Sequence, residues 1–262
     1  MRIALGIEYD GSRFRGWQTQ EPGVRTVQEA LETAVSRIAA QPVGVVCAGR
    51  TDAGVHAAGQ VVHFDTSARR DLHAWVMGSN SQLPDDVSVS WAREVADDFH
   101  ARFSAYARRY RYLVLNRCYR SALCGGRMTH WYAPLDAERM HAAGQALLGE
   151  HDFSAYRAAG CQAEHPMRAL YELSVRRRGD FVVLEVEANA FLHHMVRNIA
   201  GVLLAIGSGE RPPEWAAEVL ATRDRRRGGV TAPADGLYFL EVLYPERFAL
   251  PRGNPSALPV LA

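Results

Sequence analysis

Ile3, Leu5, Ile7 and Tyr9 alternate with small or polar residues, a period of two that predicts a strand over about residues 2–9, broken at Asp10-Gly11. From Thr26 the period lengthens. Val27, Leu31, Ala34 and Ile38 form one helical stripe, Thr26 is placed to cap it with Glu29 three residues on, and Pro42 stops it. Strands are predicted at about 43–48, 60–64 and 87–94, with a helical stretch from about Asp71. The order is β-α-β-β-α-β. It recurs in the second half: a strand at about 106–116, a helix capped by Asp136 that buries Met140, Ala143 and Leu147, and strands at about 169–176 and 181–188. A helix follows at about 194–207, with Met195, Ile199, Val202 and Ile206 on its stripe, and a last strand at about 237–244.

A repeated element order without repeated residues predicts an α+β fold of two ferredoxin-like (RRM-like) halves related by pseudo-twofold symmetry, with sheets that join. The expected domains are residues 1–104, residues 105–248 and a Pro- and Gly-bearing tail, 249–262, ordered only if it docks. Composition agrees with a soluble globular protein: 262 residues, 48% hydrophobic and 23% charged. The longest apolar runs, such as Val202 to Ile206, are far too short for a bilayer, and no leader-like segment opens the chain, so a cytoplasmic location is expected. Four scattered cysteines without a C-x-x-C pair read as reduced thiols.

Charge changes the picture more. All 30 basic residues are arginine, with 10 against 13 acids in residues 1–104 and 20 against 16 acids afterwards. Arginine suits phosphate and base stacking, although a GC-rich coding bias explains the composition more economically.

Three segments stand out chemically. Gly49-Arg50-Thr51-Asp52-Ala53-Gly54-Val55-His56 places one carboxylate between glycines in a connection that is neither helix nor strand, suited to aiming Asp52 at a ligand or to forming a simple polar turn. Ala107 to Tyr112 alternates so that Arg109 and Arg111 share one strand face and Arg108, Tyr110 and Tyr112 the other, a base-plus-phosphate pattern or a solvated edge with Tyr112 in the core. Phe191 to Ile199 leads into a helix on which Arg197 lies off the apolar stripe, on a face with His193 and Gly201, where it can reach a carboxylate. The adjacent His193 and His194 lack the i, i+4 spacing of a helical zinc site, and no metal is expected.

These segments together, with I-E-Y-D-G and G-W-Q between Ile7 and Gln18, D-D-F-H-A-R-F-S at Asp97 to Ser104 and G-L-Y at Gly236, resemble the TruA-type tRNA pseudouridine synthases from about residue 3 to 245. The resemblance implies isomerisation of uridine to pseudouridine at tRNA positions 38, 39 and 40 in the anticodon stem-loop. It implies two α/β halves around a central catalytic cleft, a homodimer, and no cofactor or metal. It gives Asp52 the place of the catalytic aspartate, Tyr110 that of the base-contacting tyrosine, Arg197 that of the aspartate's partner and Arg50 that of the arginine aiding base extrusion.

Further RNA contacts are expected from Arg109, Arg111 and His193, and from the arginine clusters 223–227, with Arg225 and Arg226, and 176–178. The competing expectations are a non-catalytic RRM-like RNA-binding protein, for which Asp52 is dispensable, and a metal hydrolase that chelators would inhibit.

Overall fold

A strand that alternates needs one apolar face to cover, and a capped stripe needs a sheet to lie on. The computed structural model describes residues 1–252. Its elements run β1 (Arg2–Tyr9), α1 (Val27–Ala39), β2 (Val46–Cys47), β3 (His56–Asp65), β4 (Val87–Val95) and β5 (Ala107–Asn116). There follow β6 (Thr129–Trp131), α2 (Ala137–Gly144), β7 (Gly149–Asp152), β8 (Met167–Arg178), β9 (Phe181–Ala188), α3 (Met195–Gly207), α4 (Trp215–Thr222) and β10 (Leu237–Leu243). This is a mixed α/β fold in two compact units, Met1–Tyr106 with the chain from Tyr238 onward, and Ala107–Leu237.

In the first unit β1 lies between β3 and β4, antiparallel to both, and buries Ile3, Leu5, Ile7 and Tyr9. The outer edge of β3 is shared. β2 pairs its far end at Val46↔His63, and β10 pairs its start in parallel at Tyr238↔His56 and Phe239↔Ala57. On α1 the Thr26 hydroxyl accepts the Glu29 N–H, and Val27, Leu31, Ala34 and Val35 are buried. The predicted strand over 43–48 shortens to two residues because helix side chains take its backbone donors: Ser36 Oγ accepts the Val43 N–H at 2.9 Å and Glu32 Oε1 the Val45 N–H at 3.0 Å. The stretch after Asp71 is helical, with a π turn at Ala74–Gly78 that seats Trp75 edge-on to Phe64, ring centres 5.2 Å apart.

In the second unit the strand order is β5-β9-β8-β7, all antiparallel, with β6 parallel to the end of β5. Asp136 caps α2 by accepting the Arg139 N–H, and Met140, Ala143 and Leu147 are buried. α3 is apolar almost all round and buries Met195, Ile199, Val202 and Ile206.

Three elements differ from the sequence expectation by being present at all. β7, Gly-Glu-His-Asp, has no apolar period and exists because the edge of β8 offers it partners; β6 is three residues long; α4 begins at Trp215, and Glu214 before it makes no side-chain cap to announce it. The final strand, placed by element order with the second half, hydrogen-bonds to β3 within the first unit. The expected tail from 249 lies mostly outside the described residues. No helix among the described residues is long and apolar enough to cross a membrane.

Candidate active site

The Asp52 turn is built by the segment that follows β1. Trp17, itself buried, donates its N–H to Thr51 O at 3.0 Å, and Phe14 O accepts the Gly54 N–H at 3.3 Å. Val55 N–H closes the turn onto Asp52 O at 3.1 Å. Gly16 makes this contact possible: it has φ +100, and a β-carbon there would sit 2.9 Å from Thr51 O and 3.3 Å from the Asp52 carbonyl carbon. Below, the buried Tyr9 hydroxyl meets Thr51 Oγ1 at 2.7 Å. Burial raises the Tyr9 phenol well above its ordinary value, so it keeps its proton.

Both ends of the turn are fixed to β3. Gln60 Nε2 donates to Gly49 O at 2.6 Å, and His56, stacked on Tyr238 with ring centres 4.6 Å apart, accepts the Gly11 N–H on Nδ1 at 3.0 Å. Asp52 is half-buried, between buried Thr51 and exposed Ala53, while Arg50 is exposed. Main-chain hydrogen bonds on both sides fix the backbone from which the Asp52 carboxylate projects. Burial pushes the neighbouring Cys47 thiol up to about 12, which favours its protonated form.

In the second unit Tyr110 is buried in β5, with Phe191 edge-on at 4.9 Å. On the opposite face Arg109 and Arg111 lie directly across from Glu187 and Glu185 of β9. Arg109 Nε donates to Glu187 at 3.1 Å and Arg111 Nε to Glu185 at 2.7 Å, so this face is a ladder of ion pairs. The alternation was legible in the sequence; the glutamates that offset it were not, because only the register of β9 brings them opposite.

Arg197 lies in the first turn of α3 and is half-buried. Its Nε donates to Ala232 O at 2.8 Å, and its own carbonyl accepts the Ala232 N–H at 3.1 Å. The strap 228–236 crosses α3 where Gly201 has no side chain; a β-carbon there would meet Val230 O. The far end of the strap is tied down by the buried Tyr112 hydroxyl, which donates to Pro233 O at 2.9 Å, and by Thr129 Oγ1, which donates to Asp235 at 2.8 Å. Thus Arg197 is aimed by a connection with no regular structure, which periodicity could not reveal.

His193 is exposed, its N–H directed to Cys161 Sγ at 3.4 Å, and its ring lies 4.0 Å from that of His194. Arg225 clasps the strap, donating to Asn198 Oδ1 and Thr231 Oγ1, each at 2.9 Å. Arg226 is exposed and paired with Asp224 at 2.8 Å. In the other cluster Arg177 is structural, its Nη2 donating to Asn116 Oδ1 at 2.7 Å and Leu135 O at 2.6 Å.

A family model described as tRNA pseudouridine synthase matches residues 6–104 and 143–245. This chain belongs to the tRNA pseudouridine synthase family. Of its family relatives, the "tRNA pseudouridine synthase A" of Pseudomonas aeruginosa is 60% identical over 250 residues, 95% of this chain and 88% of the relative. The protein of the same name from Nitrosococcus oceani is 59% identical over 252 residues, covering 96% and 97%. For a pseudouridine synthase, the matched stretches contain both the Asp52 turn and Arg197, while Tyr110 falls between them.

Proposed function

We propose that this chain isomerises uridine to pseudouridine in the anticodon stem-loop of tRNA, at positions 38, 39 and 40, with Asp52 as its catalytic carboxylate. The observation that carries the reading is the Asp52 turn itself: one half-buried aspartate, held on both sides by main-chain hydrogen bonds, in a chain of this family.

The product is an isomer, so atoms and electrons balance: the bond from N1 of uracil to ribose C1′ breaks, the ring turns, C5 bonds to C1′, the C5 proton leaves and N1 takes up a proton. One carboxylate serves each route, by attack on C1′, by attack on C6, or by taking a sugar proton to give a glycal. A stacked uracil is out of reach and must flip, at a cost of about a few kcal/mol, which Arg50 offsets by entering the vacated space. Tyr110 covers the flipped ring and assists removal of the C5 proton. Arg197, its Nε already held by Ala232 O, offers a planar guanidinium edge to the Asp52 carboxylate.

Affinity comes from phosphates, met by Arg226 and other exposed arginines and by the exposed His193. Arg109 and Arg111 act by exchanging glutamate for phosphate, or more simply by holding β5 and Tyr110 in register. The finer fold reading is two ferredoxin-like halves; the order β4-β1-β3-β2 in the first unit and β5-β9-β8 in the second support it. The resemblance adds a homodimer working in the cytoplasm.

The test is incubation of tRNA transcripts with purified protein, followed by detection of pseudouridine as carbodiimide-dependent stops of reverse transcription. Wild type gives stops in the anticodon stem-loop; Asp52→Asn gives none and still binds tRNA. Retention of a tenth of the activity by Asp52→Asn overturns the assignment and favours an RNA-binding protein without catalysis.

A further inference from the structure

The segment that builds the Asp52 turn carries three nearby arginines, and they are used differently. Arg25 is fully committed: its guanidinium lies 3.9 Å over the Phe14 ring and donates to both Asp86 oxygens, at 2.9 and 2.6 Å. That stack pins Phe14 inside, where it is 3% exposed. Because Phe14 is extended, its neighbours Arg13 and Arg15 are turned the other way, and both are exposed. Neither makes a side-chain hydrogen bond or ion pair among the described residues.

Position makes this pair different from other solvated arginines of the chain. Phe14 O, between them, accepts the Gly54 N–H of the Asp52 turn, and Trp17, two residues beyond Arg15, donates to Thr51. Two residues apart in extended chain, their α-carbons are separated by roughly 6.6 Å, close to the interval between neighbouring phosphates on one RNA strand. The first half of the chain carries more acids than arginines, so two guanidinia left without carboxylates on the segment that holds the Asp52 turn are not explained by local charge balance.

We propose that Arg13 and Arg15 form a clamp on two consecutive phosphates of the tRNA strand, next to the nucleotide presented to Asp52. The inference rests on the function proposed above and adds to it an RNA-binding surface in the first unit. Neither arginine takes part in bond making. Phe14, held by Arg25, is the pivot that sets their spacing, and the hydrogen bond from Gly54 sets their distance from the turn.

The test is the double variant Arg13→Ala, Arg15→Ala, with Arg13→Lys, Arg15→Lys as the charge-retaining control. Filter binding of tRNA transcripts across a KCl series is compared with steady-state kinetics. Losing two phosphate contacts is expected to weaken Kd and KM about 20-fold at 0.15 M salt and to make the slope of log K against log salt shallower by about 1.5. The change in kcat should stay below about twofold, and the lysine pair should retain the slope. Unchanged Kd and slope, with pseudouridine still formed, overturns the clamp and leaves the function standing. A fall in kcat with an unchanged slope also overturns it, since the segment then acts only by holding the turn. Wild-type protein that binds tRNA but forms no pseudouridine overturns the proposed function instead, and the salt slopes still decide the clamp.

Discussion

Gly16→Ala separates the stability of the Asp52 turn from its catalytic geometry. At φ +100 an alanine is strained by about 1–3 kcal/mol wherever it occurs. For a chain of this size that strain corresponds to a fall in Tm of roughly 2–12 °C. At Gly16 a second effect is added, because the new β-carbon would lie 2.9 Å from Thr51 O and 3.2 Å from Ala53 N. The turn must retreat by about 0.5 Å to restore an ordinary contact, and at about a hundredfold in rate per ångström of misplacement this predicts a roughly 10-fold loss in kcat with little change in KM. Gly23 supplies the control, since it has φ +88 and a β-carbon there would meet nothing within 4 Å. Gly23→Ala should lower Tm comparably and leave kcat alone. The assay is steady-state pseudouridine formation at saturating tRNA, beside thermal melts of both variants. Equal kcat in the two variants would refute the claim that Gly16 sets the position of Asp52.

Acid should destabilise the first unit through His63, whose Nδ1 accepts the Ala101 N–H and whose imidazole is lowered from 6.5 to about 4 by burial, then by His100 and Arg2. A base whose folded value is depressed contributes stability that is fully present above about pH 6.5 and is lost as pH falls toward 4, in all about 3 kcal/mol; thermal melts of His63→Asn should show a flatter pH curve, and an identical curve would remove His63 from the account. Arg197→Lys should lower kcat by about tenfold or more despite its charge, because an ammonium on another stem can neither hold Ala232 O as Nε does nor pair in a plane; turnover like wild type would demote Arg197 to a solvated charge. Arg50→Ala should harm a firmly paired target uridine much more than one in a mismatched stem, measured as single-turnover rates, and equal defects would place Arg50 in chemistry rather than in flipping.

What could be read from the sequence was what depends on local period and capping. Thr26 and Asp136 cap their helices as patterned, with Ile38 of the first stripe half-buried and Val35 buried in addition, and the alternation of Ala107 to Tyr112 places Tyr110 and Tyr112 in the core and Arg109 and Arg111 on the other face. What could not be read depends on register and on partners far along the chain. Glu185 and Glu187 meet the arginines of β5 only through the β9 pairing, and Val43 and Val45 leave the strand because Ser36 and Glu32 reach them from a helix. Asp52 was visible as a carboxylate between glycines, but the segment that aims it, from Tyr9 to Trp17, lies some 40 residues earlier, and nothing local links the two.

The placement of β10 bears on how the enzyme comes to exist. The first unit is discontinuous in sequence: its sheet lacks a strand until residues 238–243 arrive, whereas Ala107–Leu237 is one unbroken stretch. During synthesis the second unit can fold as soon as it is made, and its folding relieves β10 of closing a long flexible loop. The residues that wait are His56 and Ala57, which have their β10 partners at Tyr238 and Phe239 and carry the Asp52 turn at their leading end. A chain cut short before β10 would therefore hold every residue of the turn and lack the strand behind it. Competence then waits on a strand made long after the turn it backs.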